Sequence, residues 1–456
     1  MQISTRRSLF LALSLSLTGA GAGANGRFPA AQQVVIGPGL AGVDVMALRT
    51  TFGLVISRDA GQHFEWVCEE ALFAPQEPSE TPDPALIVGA DGTVQYGFEW
   101  GVRRIEACNI SPSPSVAERV IVDLAADPSG ETVYAVEGIP GEANGVFRAS
   151  TRSLVFEPLA VPAPSVLFLT VETAASDPQR LYFTGLDSAT NAPRVMRSDD
   201  AGRTVRTLPA LAREVDSAFL SGVGPTDANL VFLRALVGTG TALYRSTDGG
   251  ERFSVALRFR GPMLGFAQDA ARTVWVGGPD DGLFRSDDGG ATFEPVSNFA
   301  VYCLAHHAGA LYVCADWVRE GWALGRSTDR GARFEPLLRL DQITGGVACG
   351  VGQAVGCDAR WPGLRQFFVN RNADASVPVF VRDAGPRDAA PARDVVRVDA
   401  GPGDASVRDA GALAVAREGA CGCRAGAPGR GGAFAAVWAM LGLSSRRWRR
   451  RSGRSR

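Results

Sequence analysis

An eight-residue pattern, Ser-x-Asp-x-Gly-x-x-aromatic, recurs along this chain of 456 residues and constrains its fold more than any other feature. Four copies are complete, and a fifth, at residues 198–205, lacks only the aromatic residue. The defining residues are Ser57, Asp59, Gly61 and Phe64; Ser198, Asp200 and Gly202; Ser246, Asp248, Gly250 and Phe253; Ser286, Asp288, Gly290 and Phe293; and Ser327, Asp329, Gly331 and Phe334. Repetition of one short unit indicates a fold built from several similar modules.

Each defined position of this octapeptide suits a tight turn between two antiparallel strands. The Asp carboxylate can accept N–H groups of the turn, Ser can do the same more weakly, and Gly can adopt the positive φ that such a turn needs. The aromatic residue would begin the next strand and bury its ring between neighbouring sheets. We therefore predict a structural role for the five Asp carboxylates, not a catalytic one.

The spacing between copies predicts a β-propeller. Copies that start at residues 198, 246, 286 and 327 are 48, 40 and 41 residues apart, the length of one four-stranded blade. The interval of 141 residues from 57 to 198 leaves room for two degenerate repeats, near residues 104 and 151. Short β-branched and aromatic runs bounded by Gly and Asp support strands, and almost no stretch between residues 28 and 370 has helical periodicity.

These signals together predict an all-β fold, a β-propeller of seven four-stranded antiparallel blades over residues 25–370. An eighth blade is the alternative. The spacing of Cys349 and Cys357 resembles that of Cys303 and Cys314 in the preceding repeat. Residues 346–370 are therefore a candidate for a further partial blade.

The repeats resemble the Asp-box, or BNR, repeats of sialidases, sortilin-like receptors and xyloglucan-degrading glycosidases. The resemblance covers most of residues 30–370 and implies a β-propeller. It does not imply one function, because those families include both enzymes and binding proteins.

The N-terminus and the region after the repeats predict an exported protein on a stalk. Residues 1–24 have the features of a signal peptide, with Arg6 and Arg7 before an apolar run and a small-residue stretch. The two arginines also resemble a twin-arginine signal, which would mean export after folding, and an ordinary secretory signal is the alternative. Residues 371–420, rich in Ala, Asp, Arg and Pro, predict a disordered stalk.

Residues 421–456 form a three-part tail, with Cys421 and Cys423, an apolar segment of 12 residues at 432–443, and a final cluster of arginines. This arrangement resembles the MYXO-CTERM sorting signal of myxobacteria, which a sortase-like protease processes. By that resemblance Cys421 or Cys423 would carry a lipid anchor, and the protein would stay at the cell surface. The apolar segment is shorter than the roughly 20 residues of a permanent membrane span, which fits a segment that is removed. A simple amphipathic or nucleic-acid-binding basic tail is the alternative.

Eight cysteines in an exported chain predict disulfides formed in an oxidising compartment. Two of the spacings suit a bridge across one hairpin, and a third pair remains in the globular region. The predicted pairs are Cys303 with Cys314, Cys349 with Cys357, and Cys68 with Cys108. Reduced, buried cysteine is the alternative.

Charge is distributed unevenly along the chain. Seven arginines lie in the last eleven residues and two in the signal peptide, which leaves a net charge of −11 on the rest. An acidic domain of this kind has no electrostatic basis for binding nucleic acid. No cofactor or metal is predicted, because phosphate-binding Gly-rich loops are absent from the sequence and the adjacent His306 and His307 would point to opposite faces of a strand.

A sialidase would need three arginines for the sugar carboxylate, a tyrosine nucleophile paired with Glu, and an acidic Asp. The Arg-apolar-Pro signature of that family matches only Arg27-Phe28-Pro29, which we expect in a flexible leader. Five of the six tyrosines fall in predicted strands, which leaves Tyr96. The sequence therefore gives no convincing sialidase site.

Another kind of glycosidase would need two carboxylates facing one cleft, about 5 Å or about 6.5–9.5 Å apart. Asp316, Glu320, Glu99 and Glu106 are available. We expect each of them to be a solvated loop charge.

One segment, Trp317-Val318-Arg319-Glu320-Gly321-Trp322, predicts a binding site. It is longer and more aromatic than the corresponding segment of the preceding repeat. Paired tryptophans with an arginine can stack on a sugar or grip a peptide. We therefore assign binding to Trp317, Arg319, Glu320 and Trp322, with structural capping of a blade as the alternative.

The leading hypothesis is a surface-anchored β-propeller that recognises an extracellular protein or glycan. An exo-acting carbohydrate hydrolase, sialidase-like or of another glycosidase type, and a structural envelope protein are the alternatives. Carboxylates grouped in the central channel would favour the enzyme, whereas an apolar or plugged channel would favour binding or structure.

Overall fold

The computed structural model describes residues 27–73, 83–106, 109–159, 166–347 and 356–374. These residues form seven antiparallel sheets around a common axis, which confirms the predicted seven-bladed β-propeller. The predicted signal peptide and sorting tail, with Cys421 and Cys423, lie outside the described residues, as do Cys108 and Cys349. The predicted stalk lies outside them as well, except for residues 371–374, which form the end of a helix, so the predicted start of the stalk at residue 371 is wrong. Within the described part of the chain, no helix is long and apolar enough to cross a bilayer.

Each blade consists of four consecutive strands. Blade 1 contains β1 (Ala31–Gly37), β2 (Val45–Thr50), β3 (Gly53–Ser57) and β4 (Glu65–Val67); blade 2 contains β5 (Ala85–Val88), β6 (Val94–Phe98), β7 (Gly101–Glu106) and β8 (Asn109–Pro112); blade 3 contains β9 (Ile121–Ala126), β10 (Thr132–Glu137), β11 (Val146–Ser150) and β12 (Glu157–Pro158). Blade 4 contains β13 (Val166–Ala174), β14 (Asp177–Asp187), β15 (Pro193–Ser198) and β16 (Arg206–Thr207); blade 5 contains β17 (Ser217–Gly224), β18 (Asp227–Val237), β19 (Gly240–Ser246) and β20 (Ser254–Phe259). Blade 6 contains β21 (Gly265–Gln268), β22 (Val274–Gly278), β23 (Gly282–Ser286) and β24 (Glu294–Ser297); blade 7 contains β25 (Val301–His307), β26 (Ala310–Ala315), β27 (Leu324–Ser327) and β28 (Glu335–Leu338).

The first strand of every blade lies at the axis, because first strands of neighbouring blades contact each other around the ring, with β1 next to β25. Strand direction alternates within a blade, so its connections divide between two faces. We call the face that carries the octapeptide turns the turn face. The opposite face carries the connections between second and third strands and between blades, and we call it the loop face.

The octapeptides connect the third and fourth strands of blades 1, 4, 5, 6 and 7. In the first copy the Ser57 hydroxyl donates to Asp59 Oδ1 (2.8 Å) and accepts the N–H of Gly61 (2.9 Å), and Asp59 Oδ1 also accepts the N–H of His63 (2.9 Å). The other four copies repeat the Ser–Asp and Gly–Ser hydrogen bonds. The Gly of every copy has a φ between 80° and 91°. The predicted turn chemistry is confirmed.

The aromatic residue of each octapeptide packs in the core between its own blade and the preceding blade. Phe64 joins the cluster shared by blades 7 and 1. Phe253, Phe293 and Phe334 pack in the same way at the junctions before blades 5, 6 and 7. Val205 takes this place in the degenerate copy. The predicted burial of these rings between sheets is confirmed.

The ring closes through a C-terminal clasp and not through an eighth blade. After blade 7 the chain crosses to blade 1, where β29 (Gly345–Gly346) pairs in parallel with β4. The N–H of Thr344 donates to Phe64 O (2.8 Å), and that of Val347 donates to Trp66 O (2.9 Å). Helix α3 (Cys357–Asp374) follows. Two shorter helices, α1 (Glu69–Phe73) and α2 (Trp317–Glu320), lie after β4 and β26. The eight-blade alternative is therefore wrong. The sequence pattern also predicted almost no helix before residue 370, and α3 shows that this prediction is wrong for residues 357–370. We use "clasp" for residues 344–347 and α3 together.

A disulfide between Cys68, directly after β4, and Cys357, the first residue of α3, fixes the clasp to blade 1 across a sequence separation of 289. The predicted pairs Cys68 with Cys108 and Cys349 with Cys357 are therefore wrong. Sequence spacing favoured local bridges, whereas closure of the ring brings the two ends of the propeller together.

The hairpin disulfide of blade 7 is confirmed. Cys303 and Cys314 lie opposite each other on β25 and β26, with their Cα atoms 4.8 Å apart, and form a disulfide. Facing positions of one antiparallel pair supply the short Cα separation that a disulfide requires.

Candidate functional site

The predicted aromatic loop is built around helix α2 (Trp317–Glu320), which Asp316 caps by accepting the N–H groups of Val318 (3.1 Å) and Arg319 (3.3 Å). Trp317 is only 3% exposed, and its indole N–H donates to Pro29 O (2.7 Å). An indole in this position packs the N-terminal segment onto blade 7 and presents no free face. The predicted ligand-stacking role of Trp317 is therefore wrong.

The second tryptophan of this loop, Trp322, packs in a different cluster from Trp317. The ring of Trp322 stacks on Phe334 with the centroids 6.3 Å apart, in the core between blades 6 and 7. Arg319 is exposed and Glu320 is half-buried. The loop does not present two tryptophans side by side, and the alternative of a cap over the blade describes its geometry better.

The remaining residues singled out from the sequence do not assemble into one site. Glu106 pairs with Arg104 (3.6 Å) on blade 2, and blade 1 lies between it and Asp316 on blade 7. Tyr96 is fully buried in β6, its hydroxyl donates to Leu72 O (2.8 Å), and burial raises its pKa well above the usual range. A phenol held in this way is a core residue and not a nucleophile.

Four other charged side chains, from blades 1, 3, 4 and 5, do come together near the axis of the propeller. Asp123 lies on β9, Glu172 on β13, Arg49 on β2 and Arg234 on β18. Asp123 and Arg49 interact electrostatically, as do Glu172 and Asp123, and Arg234 and Arg49. The Asp123–Arg49 and Arg234–Arg49 interactions run between blades that are not neighbours, and Glu172 interacts with Asp123 from the adjacent blade, so the four side chains converge on the central channel. All four are half-buried.

The two carboxylic acids of the channel are held in different ways. Asp123 Oδ2 accepts the N–H of Val171 (2.9 Å) on the next blade, which fixes its position. Burial nevertheless raises the pKa of Asp123 to about 7. Burial, with a smaller contribution from the Asp123 charge, raises the pKa of Glu172 to about 8. At neutral pH Glu172 is therefore mostly protonated and can donate a proton.

The two arginines of the channel donate to backbone carbonyls. Arg49 Nη1 donates to Pro84 O (3.3 Å) and Arg234 Nη1 to Met263 O (3.3 Å). Neither guanidinium forms an ion pair with a carboxylate of the described residues, and Arg49 Nε has no hydrogen-bond partner among them. Burial lowers the pKa of both guanidiniums, that of Arg234 to about 10, so Arg234 remains charged at neutral pH. Arginine side chains stay protonated in proteins, and we treat Arg49 in the same way. The Asp83 and Asp123 charges act on Arg49 from beyond ion-pair distance, whereas the only charge that acts on Arg234 is that of Arg49.

Arg27 lies beside this group. The Arg27 Nη1 atom pairs with Asp83 Oδ1 (2.9 Å). The positive charge of Arg27 also acts to lower the pKa of Arg49. Phe28 stacks on Trp317 with the centroids 5.9 Å apart. The expectation that residues 27–29 belong to a flexible leader is therefore wrong, because this segment is packed against blade 7.

The adjacent histidines of β25 have separate structural contacts. The ring of His306 stacks on Trp275 (5.6 Å), and His307 Nε2 lies 2.9 Å from Asp44 Oδ2 on blade 1. In the described ranges, no group of three His, Cys, Asp or Glu residues is placed to hold a metal ion.

A second concave feature lies on the loop face beside the channel. It is a cleft of about 840 Å³ above blade 5, between the connections of blades 4, 5 and 6. Leu167, Leu186 and Leu236 line it, and its walls include residues 191–194 and 210–213. Sequence reasoning did not find this cleft, because its lining comes from four separate connections.

Comparisons with known proteins found matches among solved structures alone. No family model and no curated protein matches the chain. Among solved structures, the extracellular domain of a putative one component system from B. thetaiotaomicron matches with a TM-score of 0.45 and 12% identity, over 66% of this chain and 39% of that one. A GH74 xyloglucanase from Xanthomonas campestris matches with a TM-score of 0.32 and 15% identity, over 68% and 64%.

A Hadza microbial sialidase matches with a TM-score of 0.38 and 14% identity, over 59% of this chain and 70% of that one. This chain thus spans only part of the length of each of these three proteins. At this level of similarity the likeness extends to the β-propeller fold alone.

Proposed function

We propose that this chain is an exported binding module that captures an acidic group of an extracellular glycan or protein in its central channel. One observation carries the proposal: the guanidiniums of Arg49 and Arg234 enter the channel, and neither forms an ion pair with a carboxylate of the described residues. Arginine stays protonated in proteins, so both are cations. A charge that is partly removed from water is costly unless an opposite charge joins it. A carboxylate, sulfate or phosphate of a ligand would supply that charge.

The protonation of the neighbouring acids supports the same conclusion. Because burial raises the pKa of Asp123 to about 7 and of Glu172 to about 8, these acids neutralise the arginines only partly at pH 7. The channel is therefore locally positive within a domain whose overall charge is negative. Clefts with one sign of charge concentrate ligands of the opposite sign.

The cellular setting is part of the proposal. Two disulfides in the described region fit an oxidising, extracellular location. We assign the octapeptide repeats to the Asp-box class. We also retain the sequence predictions of a signal peptide, a stalk, and a MYXO-CTERM tail that a sortase-like protease processes and that anchors the protein through Cys421 or Cys423.

A second candidate, glycoside hydrolysis, is favoured by the grouping of Asp123 and Glu172 in the channel. A carboxylic acid that stays protonated at neutral pH can act as a general acid, and an ionised neighbour can act as base or nucleophile. Glu172 would be the acid, since its pKa is about 8, and Asp123 would be the partner, since its pKa is about 7.

The test is a retention screen of the exported protein on acidic and neutral extracellular polysaccharides and envelope fractions, with released sugars read by mass spectrometry. We expect acidic polymers to be retained and neutral ones to pass. Arg49→Met and Arg234→Met should each weaken retention at least about tenfold, which corresponds to about 1.4 kcal/mol. Arg203→Met, an exposed arginine on the turn face, is the matched control and should bind like the wild type.

Equal retention of acidic and neutral polymers, or unchanged binding by both channel variants, would contradict the binding proposal. Sugar release that disappears in Glu172→Gln would instead establish the hydrolase. Circular dichroism of each variant separates loss of binding from loss of fold.

A further inference from the structure

The cleft above blade 5 has an aliphatic floor. Leu167, Leu186 and Leu236 line it and belong to one buried apolar cluster. Of the described residues that line the cleft, none is aromatic. Such a floor removes an aliphatic group from water but offers no aromatic face on which a ring could stack. It therefore fits a ligand with an aliphatic side chain.

Two of the three charged residues that line the walls already have partners within the protein. Arg194 Nη2 pairs with Asp187 Oδ2 (3.1 Å). Asp216 Oδ2 accepts the N–H of Gly238 (3.2 Å). These two groups help to shape the walls and leave little charge for a ligand.

Arg213 is the third charged residue of the cleft, and it is exposed. It forms no ion pair and no hydrogen bond with any other described residue. The adjacent Glu214 does not line the cleft, and its carboxylate accepts the Tyr244 hydroxyl (3.3 Å). Arg213 is therefore the cation with which an anionic group in this cleft can pair.

One wall of the cleft, residues 210–213, also has a largely unpaired backbone. This segment belongs to no sheet. The Ala212 carbonyl accepts the N–H of Val215 (3.1 Å), and no other backbone group of residues 210–213 is hydrogen-bonded to a described residue. Backbone N–H and carbonyl groups are strong hydrogen-bonding groups, and an extended peptide is recognised largely through them. The wall can therefore bind the main chain of a peptide.

From these three features we propose that the cleft binds the carboxyl-terminal end of an extended peptide whose last residue is leucine or a similar aliphatic residue. The aliphatic side chain lies on the leucine floor, the terminal carboxylate pairs with Arg213, and the amide groups of the peptide bond to residues 210–212. A planar guanidinium can bind a carboxylate through two parallel hydrogen bonds.

This site is separate from the central channel. None of the four charged channel residues, Arg49, Asp123, Glu172 and Arg234, lines the cleft. The inference therefore goes beyond the proposed function and does not depend on it.

The experiment is calorimetric titration of the full chain with acetyl-Ala-Ala-Leu, a peptide whose carboxyl terminus is free. Three probes each lack one feature of this ligand. The C-terminal amide of the same peptide lacks the charge, acetyl-Ala-Ala-Gly lacks the aliphatic side chain, and octanoate lacks the peptide backbone. We expect each probe to bind at least about tenfold more weakly than the acid peptide.

Two variants of the cleft test the same contacts from the side of the protein. Arg213→Met should reduce the acid peptide to the affinity of its amide and leave binding of the amide unchanged. Ala212→Trp, which places a large ring in the cleft from an exposed position, should weaken binding of the acid peptide at least about tenfold.

Two variants on the turn face are the matched controls. Arg203→Met and Ala332→Trp change exposed residues of the octapeptide turns and should bind the acid peptide like the wild type. Because Arg213 and Ala212 are exposed as well, their replacement should leave the fold intact, which circular dichroism checks.

Equal binding of the acid peptide and its amide, or binding that Arg213→Met and Ala212→Trp leave unchanged, would overturn the inference. Octanoate that binds as tightly as the acid peptide would replace the peptide with an alkyl acid as the ligand. Arg234→Met should bind the acid peptide like the wild type. Loss of peptide binding in Arg234→Met but not in Arg213→Met would place the peptide in the channel, so the inference would fail while the proposed function stands.

Discussion

At the scale of single residues, the Asp of each octapeptide organises a turn through several donors at once. Asp288 accepts the N–H groups of Ala291 and Thr292 (both 2.9 Å), the Thr292 hydroxyl (2.7 Å) and the Ser286 hydroxyl (2.7 Å). Desolvation acts to raise the pKa of Asp288, but these hydrogen bonds outweigh it and hold the pKa well below its usual range. The turn is therefore stabilised by the ionised carboxylate.

Replacement of this carboxylate should destabilise the propeller. We expect Asp288→Ala to lower the free energy of unfolding by about 1–2 kcal/mol, as loss of a capping side chain does. Because the folded pKa of Asp288 is depressed, its contribution is complete above the unfolded pKa of about 4 and is lost as pH falls further. Urea unfolding at pH 7 and pH 3 measures both effects. Glu294→Gln, on an exposed strand residue, should be neutral, and an equal loss there would contradict this assignment.

At the scale of elements, the octapeptides of blades 5, 6 and 7 are also linked to the preceding blade. Arg197 Nη1 donates to Gly249 O (2.9 Å), Arg245 Nε to Gly289 O (2.7 Å), and Trp275 Nε1 to Arg330 O (3.0 Å). In each case the acceptor is the fourth residue of the next octapeptide. Arg197 and Arg245, each directly before the octapeptide Ser, thus join neighbouring blades, whereas Arg285 and Arg326 at the same position pair with Asp287 and Glu335 of their own blades.

The clasp is the other element that joins distant parts of the ring. Trp361 of α3 packs against Trp66 (5.9 Å), and Phe368 packs against Phe52 (5.4 Å) and Trp317 (5.6 Å). These rings lie in the cluster that blades 7 and 1 share. The clasp therefore closes the propeller by apolar packing as well as by its disulfide.

We predict that the clasp disulfide stabilises the fold more than the hairpin disulfide. A crosslink restricts the unfolded chain more when it closes a longer loop, and the sequence separations are 289 and 11. The double variant Cys68→Ser/Cys357→Ser should lose about 2–5 kcal/mol. Cys303→Ser/Cys314→Ser removes an equally buried pair and should lose clearly less in the same urea titration. Equal losses would show that local packing, not ring closure, dominates. Peptide mapping of the native protein identifies the partners of Cys108 and Cys349.

At the scale of the whole molecule, the central channel imposes a cost on the fold that depends on pH. The folded pKa values of Asp123 and Glu172, about 7 and about 8, exceed those of unfolded carboxylic acids. Between pH 4 and pH 8 the folded state therefore binds more protons than the unfolded state. Linkage then requires stability to fall as pH rises through this window.

The measurement is the free energy of unfolding from pH 4 to pH 8. Each carboxylic acid contributes a slope of at most about 1.4 kcal/mol per pH unit, and partial solvent access in the channel reduces it. Asp123→Asn and Glu172→Gln should each flatten the decline and raise stability at pH 8. A pH profile identical to that of the wild type in both variants would show that these acids titrate normally. An acidic ligand in the channel should raise stability in the same range.

The sequence by itself determined the fold class, the blade number and the chemistry of the turns. These features depend on residues within eight positions of each other, repeated at the length of one blade, and local hydrogen bonds of Ser57 with Asp59 and Gly61 do not depend on the rest of the ring. The disulfide of Cys303 with Cys314 was predictable for the same reason, because it spans a single hairpin.

Only the tertiary structure decided the closure of the ring and the position of the charged site. Asp123 and Glu172 each stand alone among apolar and small residues of an inner strand, and no spacing connects them with Arg49 or Arg234. Trp317 was taken for a surface residue because its burial depends on contacts with Pro29 and Phe368, at the opposite ends of the propeller. Contacts between segments this distant are set by the circular arrangement of the blades, which no local pattern encodes.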